Sequence, residues 1–206
     1  MKHKYFLNFN KGITVVVMFL LILIYHQMNN PTAWVYLSLH STYGILWVLK
    51  SKIFPDKGWE RKVSIWYGLI SWFALVLYWF PGWLVMLHNT QVPAWYLGLC
   101  ISLYIFGIFF HFTTDMQKHV MMEHHPNELI TDRMMSLSRN SNYFGEFLIY
   151  LSFALLPMTW IAFLPLALFI IFYWSFKIIN KEKSLAQKPG FQEYKQKIKL
   201  FIPFIF

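Results

Sequence analysis

Two runs of polar and ionisable residues interrupt an otherwise apolar sequence at helical spacing. His111, Asp115 and Lys118 stand at i, i+4 and i+7, and Arg139, Asn142, Tyr143 and Glu146 stand at i, i+3, i+4 and i+7. Residues so spaced share one face of a helix. Such a face at membrane depth usually looks into a bundle interior or a wet cavity, because ionisable groups are costly in hydrocarbon. Carboxylates, an amide and cations on two such faces can hold a charged, hydrogen-bonding cofactor. The second run can also be read as a helix start, with Ser141 or Asn142 as cap and Glu146 as a first-turn acid. A capping box, however, needs Ser, Thr, Asp or Asn three residues before Glu146, and position 143 is Tyr. His40 and Tyr43, at i and i+3 in a third apolar run, are either structural groups or a pair able to donate a proton to a lipid substrate. His119, Glu123, His124 and His125 are metal-ligand types, but the HExxH order is absent and no cysteine joins them, so no metal is expected. Neither a Walker loop nor a G-x-G-x-x-G is present.

The elements that carry these residues follow from composition. Of 206 residues, 57% are hydrophobic and only 13% charged, more apolar surface than a soluble domain can hide. Charges are missing from three stretches, between Lys11 and Lys50, Lys62 and Asp115, and Glu146 and Lys177. A spanning helix needs roughly 20 apolar residues, so each stretch has room for a helical hairpin. The passes fall at about 13 to 28, 33 to 49, 63 to 87, 94 to 112, 143 to 157 and 160 to 177, split by Asn29 to Pro31, His88 to Pro93 and Pro157 to Thr159. The fold class is therefore all-α, a polytopic bundle of about six transmembrane helices in one domain, 1–206. All 18 lysines and arginines lie in the segments that become cytoplasmic when the N-terminus is inside, which predicts N-in and C-in. Lys2 and Lys4 before an apolar run resemble a signal peptide, but no small-x-small site follows, and the run reads as the first helix. Pro81 and Gly82 should kink or break the third helix. The tail ending Ile202-Pro203-Phe204-Ile205-Phe206 should return to the membrane surface. The net charge of +9 fits loops beside anionic lipid and calls for no nucleic acid. The single cysteine, Cys100, implies no disulfide.

Asn142-Tyr143-Phe144-Gly145-Glu146, about 60 residues before the Pro203-containing tail, resembles the C-terminal region of the steroid 5-alpha-reductases. Asp115-Met116-Gln117-Lys118, then Leu129 to Asp132 ahead of Ser138-Arg139-Asn140-Ser141-Asn142-Tyr143, looks still more like bacterial membrane proteins related to those reductases. The resemblance covers roughly 105 to 206 and marks that part as the cofactor-binding region. Isoprenylcysteine carboxyl methyltransferases and phospholipid methyltransferases belong to the same superfamily. Their Glu-x-x-Leu before a Tyr-rich tail is similar to Glu182-Lys183-Ser184-Leu185 and Tyr194, while Asn140 and Ser141 replace the relatives' usual His and Pro.

The resemblance to the reductases implies that Asp115, Asn142 and Glu146 face NADPH, that Lys118 and Arg139 hold its phosphates, and that His111, Tyr143 and Glu182 complete the site. It implies an NADPH-dependent reductase of a carbon–carbon double bond in a lipid, isoprenoid or steroid-like substrate, seated in a bacterial inner membrane with its cofactor face toward the cytoplasm. His40 and Tyr43 are then the candidate proton donors. The other branch implies an S-adenosylmethionine-dependent methyltransferase acting on a lipid or prenylated acceptor. The partners expected are the lipid bilayer and a lipophilic small molecule.

Overall fold

The structure is a computed structural model, and it describes residues 1–205. Among those residues every regular element is helical, with no strand and one isolated bridge between Lys2 and Lys62. The helices are α1 (His3–Ile24), α2 (Pro31–Ile53), α3 (Ile65–Val76), α4 (Phe80–Leu87), α5 (Ala94–His124), α6 (Met134–Leu137), α7 (Ser141–Leu155), α8 (Leu164–Phe169), α9 (Ser175–Leu185) and α10 (Phe191–Lys197). A 3₁₀ turn at Leu77–Trp79 joins α3 to α4, whose second residue is Pro81. The expected disruption of that helix is therefore a local tightening rather than a break. A π-helical turn, Ile170–Trp174, joins α8 to α9.

Four stretches are long and apolar enough to cross a membrane: His3–Ile24, Ile65–Leu87, Ala94–His124 and Trp160–Leu185. Their outward residues are large and apolar, as at Trp66 (77% exposed), Ile70 (68%) and Phe172 (74%), the inside-out pattern of a lipid-facing surface. Helix α2 is 23 residues long but less apolar, since it carries His40, Ser41, Thr42, Tyr43, Lys50 and Lys52. Helix α7 has 15 residues. Several ends differ from expectation. Helix α1 starts at His3 rather than near 13, so Lys11 lies inside it, and α5 runs to His124 rather than to 112.

The chain divides into two compact units, Met1–Tyr104 with Tyr150–Pro165, and Ile105–Ile149 with Leu166 onward. In the first unit α1 packs on α2 and α3. Asn30 sets the α1–α2 turn. Its Oδ1 caps α2 by accepting from the amides of Thr32 (3.0 Å) and Ala33 (3.3 Å), ahead of Pro31 at the first helical position. Its Nδ2 is shared among Gln27 Oε1, Asn89 Oδ1 and the Thr90 carbonyl, which ties this turn to the one after α4. At the other end Lys2 and Lys4 clip the N-terminus to Glu60, whose carboxyl is held below the usual range by hydrogen bonds from Lys2 and Lys4. Gly44 lets α1 approach α2 at Lys11, because a Cβ there would overlap the Lys11 carbonyl.

In the second unit α5 crosses α7 at paired glycines. A Cβ on Gly145 would overlap the backbone of His111 and Gly107, and one on Gly107 would lie 2.8 Å from the Gly145 carbonyl and from the Ile149 amide. Backbone cannot yield as a flexible side chain can, so close approach of this kind needs small residues, as is common between membrane helices. Gly145→Ala is expected to lower the thermal unfolding midpoint in detergent, with a cost of about 1–3 kcal/mol for overpacking. Gly98→Ala, also on α5 but facing open space, is expected to leave it unchanged or raise it. Equal midpoints for the two variants would contradict the tight crossing.

Candidate functional site

Arg139 organises the second unit. Its Nε donates to both oxygens of Glu182 (3.1 and 3.0 Å), and its Nη2 lies 2.9 Å from Glu182 Oε2. Its Nη1 donates to the carbonyls of Lys195 (3.3 Å) and Ile198. The neighbouring backbone joins in, with the Arg139 amide donating to the Lys199 carbonyl and Asn140 Nδ2 to the Leu200 carbonyl, both at 2.9 Å. Lys181 Nζ donates to the Arg139 carbonyl (2.7 Å) and to Asn140 Oδ1 (3.1 Å). Tyr194 reaches the Met135 carbonyl at 2.7 Å, and burial raises its phenol well above the ordinary tyrosine range. The guanidinium expected to grip phosphates thus spends its donors within the chain, on Glu182 and the tail.

Beside this anchor lie the other expected residues. His111 Nδ1 meets the Asn142 carbonyl at 3.2 Å; a carbonyl only accepts, so Nδ1 carries the proton, and Nε2 sits 3.7 Å from Asp115 Oδ2. The structure therefore brings His111, Asp115 and Asn142 together across the α5–α7 crossing. Tyr143 lies 6.3 Å from Trp174, which the π-helical turn holds inward at 2% exposure. Glu146 and Lys118 are half-buried on α7 and α5. Asn142 Oδ1 is closed off from solvent without a hydrogen-bond partner. Buried polar atoms rarely go unsatisfied, and each costs about 1–3 kcal/mol when they do. An amide or hydroxyl donor of a cofactor would satisfy the Asn142 oxygen. Gln117, which the sequence reading passed over, fixes the adjoining loop by donating to the Asp132 carbonyl and carboxylate and accepting from the Met134 amide. Its position at i+2 from Asp115 gave no periodic signal.

His40 and Tyr43 lie in the first unit, 1% and 0% exposed. His40 stacks on Phe153 at 4.5 Å, and its Nδ1 is 3.2 Å from the Tyr36 hydroxyl, which donates to the Tyr78 carbonyl. Tyr43 is 3.4 Å from the Tyr150 hydroxyl, and Lys11 Nζ donates to Tyr150 at 3.0 Å. Lys11 is the residue that charge counting hid. Treated as a flank, it is a 2%-exposed ammonium enclosed by Tyr43, Trp47, Tyr78 and Tyr150 at 4.8 to 5.4 Å from the ring centroids. Cation–π attraction supplies part of what water would have supplied. The chain Lys11, Tyr150, Tyr43 places a positive charge behind two phenols, an arrangement suited to giving up a proton.

The model of the DUF1295 family, described as a protein of unknown function, matches residues 2–198. The chain belongs to that family, which stands in the steroid 5-alpha-reductase-like superfamily. No curated protein matches it.

Arg139→Ala is expected to release the tail. Removing one partner of a buried pair costs roughly 3–5 kcal/mol, and the partial exposure of Glu182 brings the figure to about 2–3. Hydrogen exchange should rise across 191–200, and Arg139→Lys should not restore protection, because one ammonium cannot replace the fork. Unchanged protection in the alanine variant would remove Arg139 from this role.

Proposed function

We propose that this chain is a membrane-embedded reductase that uses NADPH to saturate a carbon–carbon double bond in a lipophilic substrate. The observation that carries this reading is the polar cluster of the second unit, in a member of the steroid 5-alpha-reductase-like superfamily: His111, Asp115 and Asn142 gathered at one helix crossing, with the buried Asn142 amide oxygen unsatisfied. NADPH, when bound, supplies the hydride. Asp115, Asn142 and Glu146 orient its amide and ribose by hydrogen bonds. Lys118 and Lys181 meet its phosphates. Arg139 frames the site by fixing Glu182 and the tail. Tyr143 and Trp174 offer aromatic faces. In the first unit Tyr43, with Tyr150 and Lys11 behind it, and His40 are groups able to donate a proton.

A second reading, an S-adenosylmethionine-dependent methyltransferase, is favoured by one observation. Glu182, which matches the Glu-x-x-Leu pattern of those enzymes, is the carboxylate that Arg139 holds. The two readings differ in charge. A pyridine dinucleotide brings phosphates and needs several cations, whereas adenosylmethionine brings a sulfonium and one carboxylate. Titrated in detergent, the protein is expected to bind NADPH, and Glu146→Gln to weaken it by about 10-fold, the equivalent of about 1.4 kcal/mol, with the unfolding midpoint unchanged. Arg139→Ala is expected to weaken NADPH about 10-fold to 100-fold through the displaced frame. A protein that ignores NADPH and NADH yet binds adenosylmethionine belongs to the second reading.

The proposed topology has six passes, with α2 and α7 completing the four long apolar spans, both termini and the cofactor region cytoplasmic, in a bacterial inner membrane. Lysines and arginines leave the turns at 25–33, 88–93 and 156–160 empty. Reporters fused after residues 11, 56, 125 and 190 are expected to read cytoplasmic, and those at 30, 90 and 158 external. Two or more reversals would overturn the arrangement.

A further inference from the structure

Phe153 is the hub of an aromatic cluster in the first unit. His40 stacks on it at 4.5 Å, and Tyr36, Tyr104, Tyr150 and Tyr43 surround it at 5.7, 6.0, 6.0 and 6.4 Å between centroids. The polar atoms on these rings mostly answer one another. Tyr36 meets His40 and the Tyr78 carbonyl, and Tyr150 lies between Lys11 and Tyr43. Tyr104 differs. Its side chain is 6% exposed, and its hydroxyl is shut off from solvent with no hydrogen-bond partner.

The same helix supplies a comparison. Tyr96, two turns earlier on the same face of α5, donates to the Leu155 carbonyl at 3.0 Å. Ser41 is also buried without a partner, but a serine hydroxyl can rotate onto the carbonyl of the preceding helical turn. A phenol on a rigid ring cannot reach its own backbone. A buried, unsatisfied hydroxyl destabilises the chain that carries it, and phenylalanine would fill nearly the same space without that penalty. This sequence uses phenylalanine 21 times and places tyrosine here. The hydroxyl therefore has a hydrogen bond to offer a partner from outside the chain.

We propose that Tyr104 is a ligand-contacting, specificity-determining residue whose hydroxyl hydrogen-bonds the single oxygen of a lipophilic ligand lying against Phe153. The remainder of the ligand is apolar. Cys100, one turn from Tyr104 on the same face and fully buried, and Phe153 offer it no charge and no strong hydrogen bond. A ketone or an alcohol oxygen satisfies the phenol equally in kind. The inference rests on the reading that a lipophilic substrate enters this unit, and it needs no hydride transfer.

The test uses the whole protein in one detergent, without nucleotide, and three probes of matched size: 4-dodecylcyclohexanone, 4-dodecylcyclohexanol and dodecylcyclohexane. Half-saturating concentrations are read from shifts of the thermal unfolding midpoint, for the unmodified protein and for Tyr104→Phe. The unmodified protein is expected to bind an oxygen-bearing probe about 10-fold more tightly than the hydrocarbon, the equivalent of one hydrogen bond. In Tyr104→Phe that preference falls to within about 2-fold, while the probe-free midpoint stays the same or rises. The ketone and the alcohol, compared directly, identify which oxygen is preferred. A preference that persists in Tyr104→Phe, its absence from the unmodified protein, or a lower probe-free midpoint in the variant would each overturn the proposal. Failure of the reductase reading shows separately, as absent NADPH binding with the oxygen preference intact.

Discussion

The Arg139 guanidinium is the interaction on which the second unit depends. An exposed ion pair contributes little, and a buried one repays its desolvation only when every remaining donor is satisfied. Arg139 comes close to that condition by adding two tail carbonyls to the carboxylate of Glu182. The consequence reaches beyond the pair. With its backbone amide bonded to Lys199 and its carbonyl to Lys181, Arg139 fixes the residues that open α7. Helix α7 then starts at Ser141 in a defined rotation, which turns Asn142 toward His111 and sets Gly145 against Gly107. The polar cluster is a product of that rotation.

The first unit solves a related problem differently. Lys11 carries a charge into a helix long and apolar enough to span a membrane, where ionisable side chains are expensive and generally functional. Four aromatic rings and one phenol oxygen surround it. The rings offset part of the desolvation, and the phenol passes the effect of the charge to Tyr43. Gly44 permits the approach of α1 to α2 that this requires. A helix pair held this closely around a cation is a rigid support for the groups on Phe153.

Much of this was legible in the sequence, and the losses have physical causes. Charge-free stretches marked the apolar helices, since nothing else keeps lysine away for so long. Their ends were less legible. Counting charges as boundaries placed Lys11 and Lys50 at the membrane edge, whereas both are buried within helices by aromatic rings and, for Lys50, by Asp56 at 3.2 Å. The i, i+4 spacing grouped His111 with Asp115, whose side chains meet at 3.7 Å on α5. It said nothing of which face meets which, a matter settled by the glycine pair and by Arg139. The donors of Arg139 could not have been assigned in advance, because Glu182 and the tail carbonyls lie 43 to 59 residues away. Tyr104 carried no signal, since an unsatisfied hydroxyl is defined only by its surroundings.

The cofactor decides between the two proposed chemistries, and it can be asked of the protein without knowing the substrate. Mass spectrometry of the nucleotide that co-purifies with gently solubilised protein is expected to show a pyridine dinucleotide. Adenosylmethionine or adenosylhomocysteine in its place would contradict the reductase account.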